Sequence, residues 1–393
     1  MDSSSTVPRI LFVSQSGAYG GAEFALVEMA RYWRESARVV LFSDGPVRSD
    51  LEAGGVDVKV LGAGDALLGV RRESRVPSPA ALIDLARLSK RVAREAKTAD
   101  VLYANSQKGF IVAALASQLS RRPLIWHLRD IFGDAHFSQT NTRAAVFLAN
   151  RFATRVLANS DATAQAFIAR GGSPKKVRVL PYGIDPAPFL AVTAEEITAT
   201  RQSLNLGAGP VVGVFGRLAP WKGQHVAIEA VSKLPDVELL IVGDAMFGEH
   251  EYAAHLQRQA QDLGVANRLR FLGFRSDIPV LMRLVDIVMH TSISAEPFGR
   301  VILEGMLAGR PVVATDAGGA REIVQHEVTG LLVSPGDAGA LRHAVDGLLR
   351  APARRQSFGT AGRDRAITHF SPAVMLQSIA DEMRAAVHAK ALS

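Results

Sequence analysis

The chain has 393 residues, of which 48% are hydrophobic, 21% charged and none cysteine. That length exceeds what one core usually supports, so two domains are expected, and the want of thiols excludes disulfides and thiolate metal sites. The net charge of +7 does not read as nucleic-acid binding, because aromatics are only 6% of the chain and are not interleaved with the basic residues.

In chain order, Arg9–Ser14 reads as a first strand, followed by a loop with Gly17, Gly20 and Gly21 and a helix over Ala22–Tyr32. Further strands are expected at Val39–Phe42, Val56–Leu61, Val101–Ala104, Leu124–His127 and Arg155–Ala158, with helical stretches between them. A second series begins at Val211 and continues through Glu238–Val242, Leu269–Leu272, Ile287–His290, Val312–Thr315 and Gly330–Val333. Strands alternating with helices predict parallel, doubly wound sheets. Pro181–Pro188, with three prolines and one glycine, reads as the connector between the series, and Ser371–Val387 as an amphipathic helix. The polar start Met1–Thr6 has no apolar signal core and no apolar run reaches membrane-spanning length, which leads us to expect a cytoplasmic protein of bacterial type.

The positive charge is uneven: Arg71–Lys97 holds eight basic residues against three acidic ones. Within Ala80–Ala96 the apolar residues keep helical spacing while Arg87, Lys90, Arg91 and Arg94 share another face. Two readings stand, a solvated helix face and a docking surface for anionic lipid headgroups at the inner side of a membrane.

The most telling stretch runs from Glu296 to Glu304. Pro297 and Gly299 mark a loop and Val301 onward reads as a buried helix start, so two carboxylates flank a loop-to-helix junction. Ionised carboxylates accept hydrogen bonds and sugar hydroxyls donate them, so the pattern suits a polyhydroxyl ligand. The free main-chain N–H groups of Phe298, Gly299, Arg300 and Val301 would face an anion such as a phosphate. Upstream, the Val211 strand runs into Gly216-Arg217-Leu218-Ala219-Pro220-Trp221-Lys222-Gly223, a glycine-punctuated loop with two cations. Arg217 offers a planar fork to phosphate oxygens and Lys222 a movable point charge. Downstream, Asp316–Glu322 places the Gly318-Gly319 turn before a helix whose N-terminus could add to that field. No Asp-x-Asp pair occurs to hold a bridging divalent metal, so no metal site is expected. The glycine spacing after the first strand is not Gly-x-Gly-x-x-Gly, which disfavours a dinucleotide dehydrogenase, although Asp44 keeps that reading open. His127 closes a strand at the carboxyl end, where open α/β sheets place ligands.

Taken together, Gly20-Gly21-Ala22-Glu23, Val179-Leu180-Pro181-Tyr182-Gly183-Ile184-Asp185, Arg217, Lys222 and the Glu296/Glu304 pair resemble a family 4 retaining glycosyltransferase of the GT-B fold, a group 1 glycosyltransferase. The resemblance covers nearly the whole chain. It implies two Rossmann-like domains facing across a cleft. Residues 1–185 would bind the acceptor, with 371–393 packing back onto them, and 186–370 would bind a UDP- or GDP-linked sugar donor. Arg217 and Lys222 would hold the diphosphate in place of a metal, with no cofactor beyond the donor itself. Glu304 would accept from the ribose hydroxyls, Glu296 from the transferred sugar, and His127 would reach that sugar. The backbone after Gly273 would meet the base, with Phe274 and Arg275 beside it. Arg129 and Asp130 would serve a sugar or lipid-linked acceptor in polysaccharide, glycolipid or glycoconjugate synthesis. The sequence departs from the family's pattern at Arg300, which lies near the phosphates or on the surface, and at Tyr19, which shapes the acceptor pocket or blocks it. A nucleotide-sugar epimerase of the same architecture and a non-catalytic sugar-nucleotide-binding protein are the alternatives. His290 ends a strand of the second series as His127 does in the first, and the sequence suggests no role for it.

Overall fold

The computed structural model describes residues 7–64, 78–132, 138–245 and 248–391. They form two compact units, one comprising the chain up to Tyr182 together with the segment from Ala373, the other Gly183–Pro372.

The first unit is built on a parallel sheet of β1 (Ile10–Ser14), β2 (Ala37–Leu41), β3 (Asp57–Val60), β4 (Val101–Ala104), β5 (Leu124–Leu128), β6 (Arg155–Ala158) and β7 (Val177–Val179), in the order β3-β2-β1-β4-β5-β6-β7. β1 and β4 are fully buried and mostly apolar on both faces, as strands covered by helices on two sides must be. β7 was not among the expected strands. It has three residues, and only Val177 is buried while Arg178 and Val179 face out, so it lacks the apolar run that marks the others.

The second unit carries β8 (Val211–Phe215), β9 (Glu238–Val242), β10 (Leu269–Gly273), β11 (Ile287–His290), β12 (Val312–Thr315) and β13 (Gly330–Val333), parallel in the order β10-β9-β8-β11-β12-β13. In each sheet the order reverses once, between β1 and β4 and between β8 and β11. Helices leave the two central strands for opposite faces there, so a crevice opens at their carboxyl ends.

The helix Pro372–Ala391 extends beyond the range expected from its periodicity and belongs mostly to the first unit. It buries Met375, Leu376, Ile379, Met383 and Ala386, and its Glu382 pairs with Arg155 of β6 at 3.0 Å and with Arg178 of β7 at 3.5 Å. Among the described residues no helix is long and apolar enough to cross a membrane.

Candidate active site

At the switch point of the second sheet, β8 runs into Gly216, whose φ of +119° turns the chain, and Gly243 crosses so close that a Cβ there would stand 2.1 Å from the Gly216 carbonyl. The loop that follows carries both sequence-predicted cations. Arg217 pairs with Glu249 at 3.4 Å, and its carbonyl accepts from the buried Gln224 amide at 2.9 Å. Lys222 is seated by its neighbours' main chain. Its carbonyl accepts from the Thr291 hydroxyl at 2.9 Å, the Trp221 carbonyl accepts from the Ile293 amide at 2.8 Å, and Gly223, at φ +69°, lies where a Cβ would strike the Thr291 carbonyl.

This seat aims the Lys222 ammonium at Glu296. Nζ donates to both carboxylate oxygens at 2.6 and 2.7 Å and lies 4.3 Å from the Trp221 ring centroid. Oε2 of Glu296 also accepts from the Ser292 hydroxyl at 2.9 Å and faces His290 Nε2 at 3.1 Å. A carboxylate only accepts, so Nε2 carries the proton, and Nδ1 faces the Thr315 hydroxyl at 3.3 Å. Burial by itself would push the Glu296 pKa up. The Lys222 charge and the His290 and Lys222 hydrogen bonds outweigh it and hold the carboxyl well below the usual range. The residue is thus an acceptor-only group, ionised at neutral pH, in a nearly buried place.

The main chain of Glu296 is fixed by the glycine turn expected to open a helix toward an anion. Gly318 forms a parallel bridge with Glu296, and the Gly319 amide donates to the Glu296 carbonyl at 2.8 Å. The helix beyond is only Ala320–Ile323, so this turn serves as a brace behind Glu296.

The helix Arg300–Leu307 starts after Gly299 at φ +105°. Arg300 donates to Glu304 one turn on at 2.7 Å and is about a third exposed. Val301 lines the same small pocket as Glu296, Lys222 and His290. Phe298 turns inward: it is buried and meets Phe370 edge-on with ring centroids 6.0 Å apart. Phe274 is 74% exposed after β10, and Arg275 is clamped on Asp277 at 2.8 and 2.6 Å.

The first unit has its own polar cluster at the carboxyl ends of β1, β4 and β5. His127 is buried, and its Nδ1 meets the Tyr103 hydroxyl at 2.6 Å and Arg129 Nη2 at 3.1 Å. A guanidinium can only donate, so Nδ1 is the acceptor and the neutral ring carries its proton on Nε2. Burial and then the Arg129 charge keep the imidazole pKa well below its ordinary value. Nε2 is buried and meets no hydrogen-bonding partner among the described residues. Arg129 also donates to Asn105 at 2.8 Å and to the Tyr182 hydroxyl, and Asn105 reaches the Ala22 carbonyl at 3.1 Å. Glu23 accepts from the Ser14 hydroxyl at 3.5 Å, and burial raises its pKa against the opposing charge of Arg129.

Of the glycines read in the first loop, Gly17 is locked against Asp44 and Gly45, where a Cβ would stand 2.4 Å from backbone. Gly20 precedes the helix Gly21–Tyr32, and Gly21 faces open space. Tyr19 bonds Asp50 and stacks on Phe24 at 4.7 Å, which burial and that bond accompany with a pKa pushed up to about 12. His290, Ser292, Gln224, Tyr103 and Asn105 were not assigned roles from sequence. Only the strand-end position of His290 hinted at one.

The comparisons with known proteins agree with this frame. Residues 196–365 match the model of the glycosyl transferases group 1, and residues 20–183 that of a glycosyl transferase 4-like domain. The crystal structure of Anabaena HepE in complex with UDP and glucose is 42% identical, with a TM-score of 0.88, over 96% of this chain and 99% of that one. The lipopolysaccharide core biosynthesis glycosyltransferase LpsE of Rhizobium meliloti is 34% identical over 46% of this chain and 51% of its own length. A D-inositol 3-phosphate glycosyltransferase of Mycobacterium sp. is 34% identical over 51% of this chain and 46% of its own. The chain thus spans about half the length of the curated relatives it matches. It belongs to the group 1 glycosyltransferases, with the two parallel-sheet α/β units of the GT-B fold.

Proposed function

We propose that the protein transfers a sugar from a nucleotide donor to an acceptor hydroxyl with retention of anomeric configuration and without a bound metal, in the synthesis of a polysaccharide, glycolipid or other glycoconjugate. The observation that carries this reading is the nearly buried Glu296 carboxylate held ionised by Lys222, His290 and Ser292 at the switch point of the second sheet. A UDP-linked donor is favoured because the Anabaena relative was crystallised with UDP and glucose.

In this reading the second unit takes the donor and the first the acceptor. Glu296 accepts from hydroxyls of the transferred sugar and Glu304 from the ribose. Lys222 has three N–H groups, of which two face Glu296, so the third serves a phosphate oxygen together with Arg217. The negative charge on the diphosphate grows as the glycosidic C–O bond breaks, so cations placed there favour the transition state over the ground state. The acceptor oxygen bonds the anomeric carbon on the face the diphosphate leaves, and its proton passes to the departing phosphate oxygen. His127, fixed as a neutral Nε2–H donor, serves a substrate oxygen. A panel of nucleotide sugars scored for nucleotide release, with the product linkage read by NMR, tests the reading. Release from no donor, or a product of inverted configuration, would overturn it.

Activity is expected to persist in EDTA, since Lys222 and Arg217 supply the charge a metal would bring. Complete loss with chelator, restored by Mg²⁺ or Mn²⁺, would refute the metal-free mechanism.

We also read the helix Pro79–Glu95 as a membrane-docking element. Leu88, Val92 and Ala93 are buried on one side, while Arg87, Lys90, Arg91 and Arg94 are exposed together with Leu82 and Ile83. Arg71, Arg72 and Arg75 of the same basic segment lie outside the described residues. Each basic residue near an anionic surface contributes about 1 kcal/mol, screened by salt. Co-sedimentation with anionic vesicles should therefore fall when the four become Gln and when salt is raised. Equal binding to neutral vesicles, or no change in the Gln variant, would leave only the solvated-face reading.

A further inference from the structure

The second unit holds a basic cavity at the end of the sheet opposite Glu296. Asp286 and Pro311 immediately precede β11 and β12, whereas His290 and Thr315 end those strands, so the two places lie at opposite ends of the same pair. The cavity has a volume of about 400 Å³ and is lined by Arg310, Arg355, Arg363, Asp286, Gln356 and Thr360. Small-molecule clefts are usually of roughly 300–1,000 Å³.

The charge in it is poorly balanced. Arg310 donates to the carbonyl of Arg283, whose own guanidinium donates to the Phe189 carbonyl at 3.2 Å. Arg363 donates to the carbonyls of Leu307 and Ala308 at 3.3 and 3.1 Å, and Arg355 to that of Leu349 at 3.3 Å. Carbonyls occupy N–H groups without neutralising charge, and each guanidinium has five. The carboxylate facing this set is Asp286, 3.6 Å from Arg355 and itself accepting from the Val211 amide at 2.9 Å. Asp364, beside Arg363, is exposed. Arg310 Nε is buried and meets no hydrogen-bonding partner among the described residues. Burial lowers the Arg310 pKa; Asp286 opposes this, and Arg283, Arg355 and Arg363 add to the lowering, as expected of like charges held together.

The backbone is shaped around one of these groups. Gly309 sits at φ +68°, and a Cβ there would overlap the Arg363 guanidinium, while a Cβ at Gly359 would strike the Gly309 carbonyl. Two glycines therefore let the helix Pro352–His369 lay Arg363 over the turn that leads into β12.

We propose that this cavity binds a small phosphorylated anion, a diphosphate or phosphate monoester, at a site separate from the donor site. Guanidinium forks match phosphate oxygens two at a time, and several around one cleft favour an anion that carries more than one charge. Arg363 rests on the carboxyl end of the helix that bears Glu304, so an occupant touches the far end of an element of the donor site.

Calorimetric titration of inorganic pyrophosphate into the full-length protein, with saturating UDP present to fill the donor site, tests the proposal. One equivalent should bind, more weakly as NaCl rises, and Arg355→Gln should weaken it tenfold or more while leaving UDP affinity and basal transfer unchanged. Gln356 is exposed on the rim, so Gln356→Glu adds a repelling charge without disturbing the core and should also abolish binding. Inorganic phosphate and anionic vesicles form the other arms. Weaker binding of phosphate supports a free diphosphate as occupant, and binding of vesicles but not pyrophosphate overturns it. Absence of heat, or equal affinity in the wild type and both variants, overturns the site.

Discussion

Replacing Lys222 by Ala should lower transfer by about 10² or more, the order seen when one charge-stabilising group is lost, and should also destabilise the fold. The second effect follows from the ion pair. The side chains of Lys222 and Glu296 are only 18% and 13% exposed, and removing one partner of such a pair typically costs about 3–5 kcal/mol because the other charge stays buried. His290 and Ser292 still hold Glu296, which points to the low end of that range. The double variant Lys222→Ala/Glu296→Gln removes the stranded charge, so thermal melts should recover much of the loss while turnover stays low. The pH dependence has a definite sign. The folded carboxyl of Glu296 is depressed, so its contribution is fully present above the unfolded value of about 4.3 and is lost as pH falls toward the folded value. Melts of the wild type should therefore weaken on acidification below that point more steeply than melts of Lys222→Ala. Arg217→Ala should show the same order of rate loss with a smaller stability cost, since its pair with Glu249 is longer, at 3.4 Å. Near-normal rates with every active donor in either variant would remove the phosphate role.

The parallel sheets were legible because each central strand is an apolar run bounded by loop residues, and the six strands of the second series were all expected from sequence. β7 was not, since Val177-Arg178-Val179 has too little apolar length to show a period. The candidate-site residues stood out one at a time, and their contacts did not. Lys222 and Glu296 are 74 positions apart, and sequence reasoning gave them separate ligands. Their pairing depends on the seat that Gly223 and Thr291 make, which arises only when β11 lies beside β8. His290 was visible as a strand-end histidine, but its approach to Glu296 needs β12 to supply Thr315 from the other side. The Gly318-Gly319 turn read as the start of a helix whose N-terminus faces an anion, and the sequence did not show that its main chain also holds Glu296. Likewise Tyr103 entered the sequence reading only as part of the strand Val101–Ala104, and the β4–β5 pairing brings its hydroxyl to His127.

That use of Gly318 makes it a sensitive position away from the charged groups, and Gly318→Ala should cost about 10² in kcat/KM while leaving the protein folded. Two effects add. Gly318 has φ +59°, a left-handed conformation that costs an L-residue roughly 1–2 kcal/mol. A Cβ there would also lie 2.8 Å from the Glu296 nitrogen and still nearer its carbonyl oxygen, and backbone atoms cannot swing aside as a flexible side chain can. The bridge to Glu296 and the Gly319 bond at 2.8 Å must then shift. Lys222 is anchored separately through Thr291 and Trp221, and His290 by β11, so Glu296 moves relative to the groups that orient it. Misplacing a catalytic group by about 1 Å commonly costs around 10² in rate. Gly347, exposed in the helix Ala338–Leu349 with nothing near a built Cβ, is the matched control: Gly347→Ala should leave the rate unchanged and raise stability by up to about 1 kcal/mol. Steady-state kinetics with melting curves on both variants decide the matter, and wild-type turnover in Gly318→Ala would show that the placement of Glu296 does not limit transfer.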